Sequence, residues 1–198
     1  MAAQIRGAVA VCAIMMRRSG LGVIALLGAA AAAAGAQGHY DPEAVRLNNR
    51  GVALMGQQFT DRAAEAFAQA FKKDPALAQA AINEGIALLT EQKLDEAKTW
   101  LQKAIAIDPT SAQAWYNLGL AQRAGNELDT ALASFQQAAK LDPRDADSFY
   151  FQGVVYQELK QYDQAIGVLG KALAIDPLHA SSEFVLARSL QRDRKSVV

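Results

Sequence analysis

Cysteine is almost absent. The 198-residue chain has one, Cys12, so it can form no internal disulfide and build no thiolate metal cage. Histidine is nearly as scarce. His39 and His179 have no Cys, His or paired carboxylate at metal-ligand spacing. A hydrolytic triad needs a histidine held by a buried acid beside an activated serine; His179 lies near Ser181 and Ser182, but on what reads as an exposed connector. Glycine-rich phosphate loops are missing, because the glycines from Gly51 onward stand singly inside helical patterns. A basic surplus is missing too. Three arginines and no acid fall in the first 36 residues; removing them from the 20 basic residues leaves 17 against 20 acidic, about −3. That balance speaks against a nucleic-acid binder. No catalytic, cofactor-binding or metal-binding residue is therefore nominated, and the expectation is a protein that is not an enzyme and carries no cofactor.

A period is what the chain does have. Asp-Pro recurs at Asp74-Pro75, Asp108-Pro109, Asp142-Pro143 and Asp176-Pro177, a step of 34. Gly51, Gly85, Gly119 and Gly153 keep that step, as do Ala63, Ala97, Ala131 and Ala165, and Ala70, Ala104, Ala138 and Ala172. Between the alanines stands a large apolar residue: Phe67, Leu101, Phe135 or Leu169. Fixed self-similarity at this length marks a repeat array.

Each unit reads as two helices. In the third, Trp115, Leu118, Gly119 and Gln122 lie at helical spacing, and Leu128, Ala131, Leu132, Phe135, Ala138 and Ala139 form an apolar stripe. Glycine inside a helix costs about 1 kcal/mol against alanine. Its fourfold recurrence implies close approach of the paired helix. Proline ends each unit, because it lacks a backbone donor and disfavours helix in the preceding residue. Asp95, Asp129 and Asp163 precede the second helices and are expected to cap them.

These columns resemble the tetratricopeptide repeat family. Trp115–Gly119 (WYNLG), with Ala131, Phe135, Ala138 and Pro143, follows that family's 34-residue pattern, and so do Phe149, Gly153, Tyr156, Tyr162, Ala165, Ala172 and Pro177. Leu47 and Ala81 depart from the opening aromatic, and Arg50 and Glu84 from the usual Leu. The resemblance implies an all-α, right-handed α-solenoid of four helix-turn-helix units at 44–77, 78–111, 112–145 and 146–179. Residues 180–192 are expected to form a capping helix, with 193–198 as a tail. In the cap, Phe184, Leu186, Ala187 and Leu190 are assigned to the inner side. Ser181, Ser182, Arg188, Gln191 and Arg192 are assigned to the outer one.

The first 36 residues read as a separate segment. Arg17-Arg18 precedes an apolar run from Leu21, and Ala34-Gly35-Ala36 fits small-x-small cleavage, leaving Gln37 as the new N-terminus. Leu21–Ala36 has 16 residues, short of the roughly 20 that span a bilayer. An export signal and a periplasmic location are expected, with an uncleaved membrane anchor as the alternative; residues 37–43 are a linker.

In the family, partners bind the concave face lined by first helices. Carried over, that face holds Asn48, Val52, Met55, Ile82, Ile86, Leu89, Tyr116, Leu120, Arg123, Tyr150, Val154 and Gln157, continued by Phe184 in the cap. The lysine and asparagine clamp that grips acidic chaperone tails is absent, since its places hold Asn48, Ile82, Tyr116, Tyr150 and then Val52, Ile86, Leu120, Val154. An apolar face with tyrosine anchors suits a protein or peptide partner: an amphipathic helix or an extended apolar segment. The recurring Asn49, Asn83 and Asn117 are read as structural. The competing expectation is a membrane-tethered or self-associating structural subunit, a homo-oligomer.

Overall fold

The computed structural model describes residues 40–196. The expected export segment, Cys12 and His39 lie outside the described residues. Within them the chain is all helix: α1 (Pro42–Gly56), α2 (Thr60–Lys73), α3 (Ala78–Thr90), α4 (Leu94–Ile107), α5 (Ala112–Ala124), α6 (Leu128–Leu141), α7 (Ala146–Glu158), α8 (Tyr162–Ile175) and α9 (Ala180–Ser196). The helices form two compact units that divide between Ile107 and Asp108. In the first, α1 pairs with α2 and α3 with α4, and α3 packs on α1 and α2. In the second, α5 pairs with α6 and α7 with α8; α7 packs on α6, and α9 on α7 and α8.

Two sequence columns prove to be partners. A Cβ added at Gly85 would lie 2.6 Å from Leu101 Cγ; at Gly119, 2.8 Å from Phe135 Cε1; at Gly153, 2.5 Å from Leu169 Cγ. Gly51 meets Phe67 in the same way. Each first helix thus presents a glycine to the large residue of its second helix, and Phe67, Leu101, Phe135 and Leu169 are fully buried. Ala63, Ala97, Ala131 and Ala165 are fully buried beside them.

The turns repeat as faithfully as the contacts. Gln58, Gln92, Asn126 and Lys160, one step of 34 apart, adopt φ of 60–65°. Each closes its first helix with a paired motif. Lys93 N–H donates to Leu88 O (2.9 Å) while Gln92 N–H donates to Leu89 O (3.1 Å), and the other three turns repeat this pair. The Asp-Pro column also gains a second role. Asp74, Asp108, Asp142 and Asp176 each accept, through Oδ1, the backbone N–H two residues on, at 3.0–3.1 Å. Aspartate shapes the turn after the second helix, and proline prevents the helix from continuing.

The expected caps of the second helices need correction. Asp95, Asp129 and Asp163 are each the second residue inside their helix. They sit in the first turn, where a carboxylate favours the positive helix end, and Asp95 pairs with Lys98 at 2.8 Å. The cap positions fall one residue after the left-handed Asn126 and Lys160, on Glu127 and Gln161, which make no side-chain capping bonds. Side-chain caps occur instead on first helices, from Asp41, Ser111 and Asp145.

The assignment of faces on α9 is corrected in part: Leu186 packs inward and Ser181, Arg188, Gln191 and Arg192 are exposed, as expected, but Phe184, Ala187, Leu190 and Ser182 change sides. Ser182 and Ser189 are fully buried with Val185, whereas Phe184 is 69% and Leu190 44% exposed. Serine can lie inward because its hydroxyl is satisfied. Ser189 Oγ donates to Val185 O (2.8 Å), and Ser182 Oγ lies 2.7 Å from His179 Nδ1. The helix also continues past 192 to Ser196.

Gly119→Ala gains up to about 1 kcal/mol of helix propensity but overpacks Phe135 at about 1–3 kcal/mol. A lower urea midpoint for Gly119→Ala is the expected result. Lys160→Gly relieves a left-handed side chain, so its urea midpoint is expected to rise, reflecting a gain in stability of roughly 0.5–1 kcal/mol.

Candidate functional site

The residues expected to line a binding face divide sharply by accessibility. In the first unit Asn48, Met55, Ile82 and Ile86 are buried, and Val52 and Leu89 are half-buried. Asn48 accepts a hydrogen bond from Asn83 Nδ2 at 2.8 Å, and Asn83 Oδ1 accepts from Gln79 Nε2 at 2.9 Å. This link joins α1 to α3 and accounts for a buried asparagine at 83. Asn117 instead donates to Gln113 O at 2.8 Å, while Asn49 is exposed.

In the second unit Tyr116 is only 6% exposed. Its ring meets Phe135 and Phe151 edge-on, with centroids at 5.8 and 5.7 Å. Phe135 and Phe151 stack at 5.4 Å. Burial pushes the Tyr116 hydroxyl well above the ordinary phenol range. Tyr116 is thus a core residue, and Leu120 beside it is buried too. Tyr150 is half-buried, packed on Phe151 at 4.8 Å and on the His179 ring at 5.3 Å. Val154 and Gln157 are half-buried one and two turns along, and Gln157 Nε2 donates to Ser189 Oγ at 3.2 Å. Arg123 is engaged: Glu158 takes its Nε and Nη2 together, at 3.1 and 2.6 Å. Sequence reading missed Glu158, which is 35 residues away and carries no motif.

Near Tyr150 the structure brings together a serine, a histidine and an acid. His179 Nε2 lies 3.0 Å from Asp147 Oδ1, and its Nδ1 accepts the Ser182 backbone N–H at 3.2 Å. Nδ1 must therefore be unprotonated, with Nε2–H donating to Asp147. Ser182 is fully buried. Its hydroxyl is closed off from any substrate, and the cluster instead satisfies the first free N–H groups of α9 and ties that helix to α7.

The most perturbed carboxyl lies in the first unit. Glu84 occupies the place where the other repeats carry Arg50, Leu118 and Gln152 and is 6% exposed, with Oε2 lacking any partner. Burial first, then Glu91 and Glu96, raises its pKa to about 7. Among the described residues no group of His, Cys, Asp or Glu is placed to hold a metal ion. Nor is any described helix long and apolar enough to cross a membrane.

Comparison with known proteins agrees with this geometry. Residues 85–124 match the family TPR repeat, and 112–145 and 146–179 each match Tetratricopeptide repeat. The chain carries tetratricopeptide repeats. No protein of curated function matches it. Among solved structures, MamA from Desulfovibrio magneticus RS-1 is 24% identical, covering 69% of this chain and 77% of that one with a TM-score of 0.63. The pilF protein of Pseudomonas aeruginosa is 22% identical over 80% of this chain and 72% of its own, with a TM-score of 0.72. The first TPR of Spaghetti (RPAP3), bound to an HSP90 peptide, is 21% identical over 61% of this chain and 97% of its own, with a TM-score of 0.59. At these identities the likeness establishes the fold, an all-α solenoid of tetratricopeptide repeats.

Glu84 sets a pH dependence. Its folded pKa, about 7, exceeds the ordinary 4.5. The stability of the protonated form is complete below the unfolded value and is lost as pH rises through the folded one. Glu84→Gln is expected to flatten thermal stability between about pH 5 and pH 8, and to gain roughly 2 kcal/mol at the alkaline end. Parallel pH profiles for both proteins would show that Glu84 is not the titrating group.

Proposed function

We propose that this protein is a non-catalytic interaction module of the bacterial cell envelope, holding a peptide or helix of a partner protein on the first-helix face of its repeats. One observation carries the reading. On α7, Tyr150 and Val154 stand half-buried in sequence, and Phe184 of α9 is exposed at Tyr150's place in the repeat. Half-buried aromatic and branched side chains on rigid helices offer apolar area with little conformational entropy to lose. The Arg123–Glu158 pair contributes a polar edge.

Spaghetti (RPAP3) binds its HSP90 peptide through a TPR, which supports peptide recognition by this fold. That peptide, SRMEEVD, is acidic. Tyr150, Val154 and Phe184 are apolar, so an apolar or amphipathic partner fits better. The envelope location rests on Arg17-Arg18, the apolar run and Ala34-Gly35-Ala36.

Two measurements test the reading. A photo-crosslinking side chain at Val154 should capture one discrete partner in the native envelope, and Tyr150→Ala should remove that adduct while circular dichroism stays unchanged. Tyr116→Ala is unsuitable because truncating that core ring costs about 3–5 kcal/mol. An adduct equally strong from exposed Gln136 would refute the face. Separately, N-terminal sequencing of the protein recovered from the envelope should begin at Gln37. A retained Leu21–Ala36 would favour the membrane-tethered alternative.

A further inference from the structure

Helix α9 keeps the register of α7. Its buried residues Ser182, Val185 and Ser189 stand 34 positions after Ser148, Phe151 and Val155, which are buried as well. The two helices touch, for Gln157 Nε2 on α7 donates to Ser189 Oγ on α9 at 3.2 Å. Their first-helix faces therefore lie side by side. On α7 that face runs Asp147, Tyr150, Val154 and Glu158. On α9 the same places hold Ser181, Phe184, Arg188 and Arg192, all exposed. Tyr150 and Val154 stay half-buried although α6, α8 and α9 all pack on α7. Neighbouring helices thus leave this side of a first helix open.

The charges of this strip differ in how they are engaged. Glu158 is held by Arg123 at 2.6 Å, and Asp147 by His179 at 3.0 Å. Arg188 and Arg192 have no acidic partner among the described residues. Glu183 cannot serve them, because it stands roughly 140–180° around the helix from both. Asp147 lies level with Ser181, about 10 Å along the axis from Arg188. The α9 side of the strip is therefore positive, next to the apolar Tyr150, Val154 and Phe184. Phe184 and Arg188 are one turn apart, about 6 Å. A ligand that fits both has an apolar side chain and a carboxylate at that separation, as at i and i+4 of a helix or i and i+2 of a strand. The first 36 residues of this chain hold no acid, so they cannot supply it. An anionic membrane would also have to meet Asp147 and Glu158, which a single carboxylate avoids.

We propose that the segment held on α7 and α9 is both amphipathic and acidic: its apolar side chain rests on Tyr150 and Phe184, and its aspartate or glutamate is bound by Arg188, with Arg192 one turn beyond. This rests on the peptide-binding reading above and assigns the charge of its ligand. Guanidinium takes a carboxylate through two parallel N–H donors, so Arg188 selects position as well as sign. The apolar anchors supply contact area, and Arg188 decides which amphipathic segments are accepted.

The probe is a library of random peptides displayed on phage, selected on the full chain. Recovered peptides should carry Asp or Glu within four residues of a large apolar residue, several-fold more often than the starting library. Selection on Arg188→Glu should favour Lys or Arg at that place instead, with circular dichroism unchanged. A synthetic copy of the commonest peptide should bind Arg188→Gln roughly tenfold more weakly than the unaltered chain. The same peptide with its acid changed to the amide should bind both proteins alike. Tyr150→Ala should weaken the acid and amide peptides equally. Peptides without charge preference, or the same acidic peptides from Arg188→Glu, would overturn the proposal and leave the peptide-binding face standing. Recovery of no peptide that depends on Tyr150 would overturn both. Vesicles of anionic phospholipid that bind the chain but not Arg188→Gln, with no acidic peptide recovered, would assign the arginines to a membrane and overturn the proposal.

Discussion

The contact between a glycine and one large apolar side chain governs this structure. At Gly51, Gly85, Gly119 and Gly153 the first helix gives up its Cβ so that Phe67, Leu101, Phe135 or Leu169 can press against its backbone. Buried alanines beside that residue keep the second helix close on either side. With the pair fixed, the connecting turn has little freedom. Gln58, Gln92, Asn126 and Lys160 adopt left-handed backbone although none is glycine. Packing of the helix pair outweighs the steric cost of those turns, which is about 1–2 kcal/mol each.

The same economy of space explains which polar groups are inside. Asn83 links α3 to α1 through Asn48, and Ser189 and Ser182 sit inward on α9 because neighbouring acceptors receive their hydroxyls. A small residue with a satisfied hydroxyl permits an approach that leucine would block. Glu84 is the exception. It is buried with an unpartnered oxygen, and it answers by holding its proton close to neutrality. Its cost falls on stability at alkaline pH.

The proposed function rests on where the packing stops. Tyr116 and Tyr150 hold one column, yet Tyr116 is enclosed by Phe135 and Phe151 while Tyr150 lies at the edge against His179. Only the edge residue can meet a partner. On α9 Phe184 and Leu190 are exposed beside Glu183 and Gln191.

The sequence by itself determined the period, the helix pairs, the glycine column and the Asp-Pro boundaries, because each is a local or strictly repeating constraint written in residue type. It also marked Glu84, with Arg50, as standing where the family pattern has Leu. Only the tertiary structure decided which members of a column are enclosed. Tyr116 and Tyr150 read alike, as did Ile82 and Val52, and their exposure depends on neighbours brought from tens of residues away. The caps and the faces of α9 were misread for a related reason. Periodicity locates apolar positions without naming the element that covers them, and on α9 Ser182 and Ser189 are enclosed while Phe184 and Leu190 are exposed. Ser182 lies inside because His179 and Asp147 meet it there, a convergence that no spacing along the chain records.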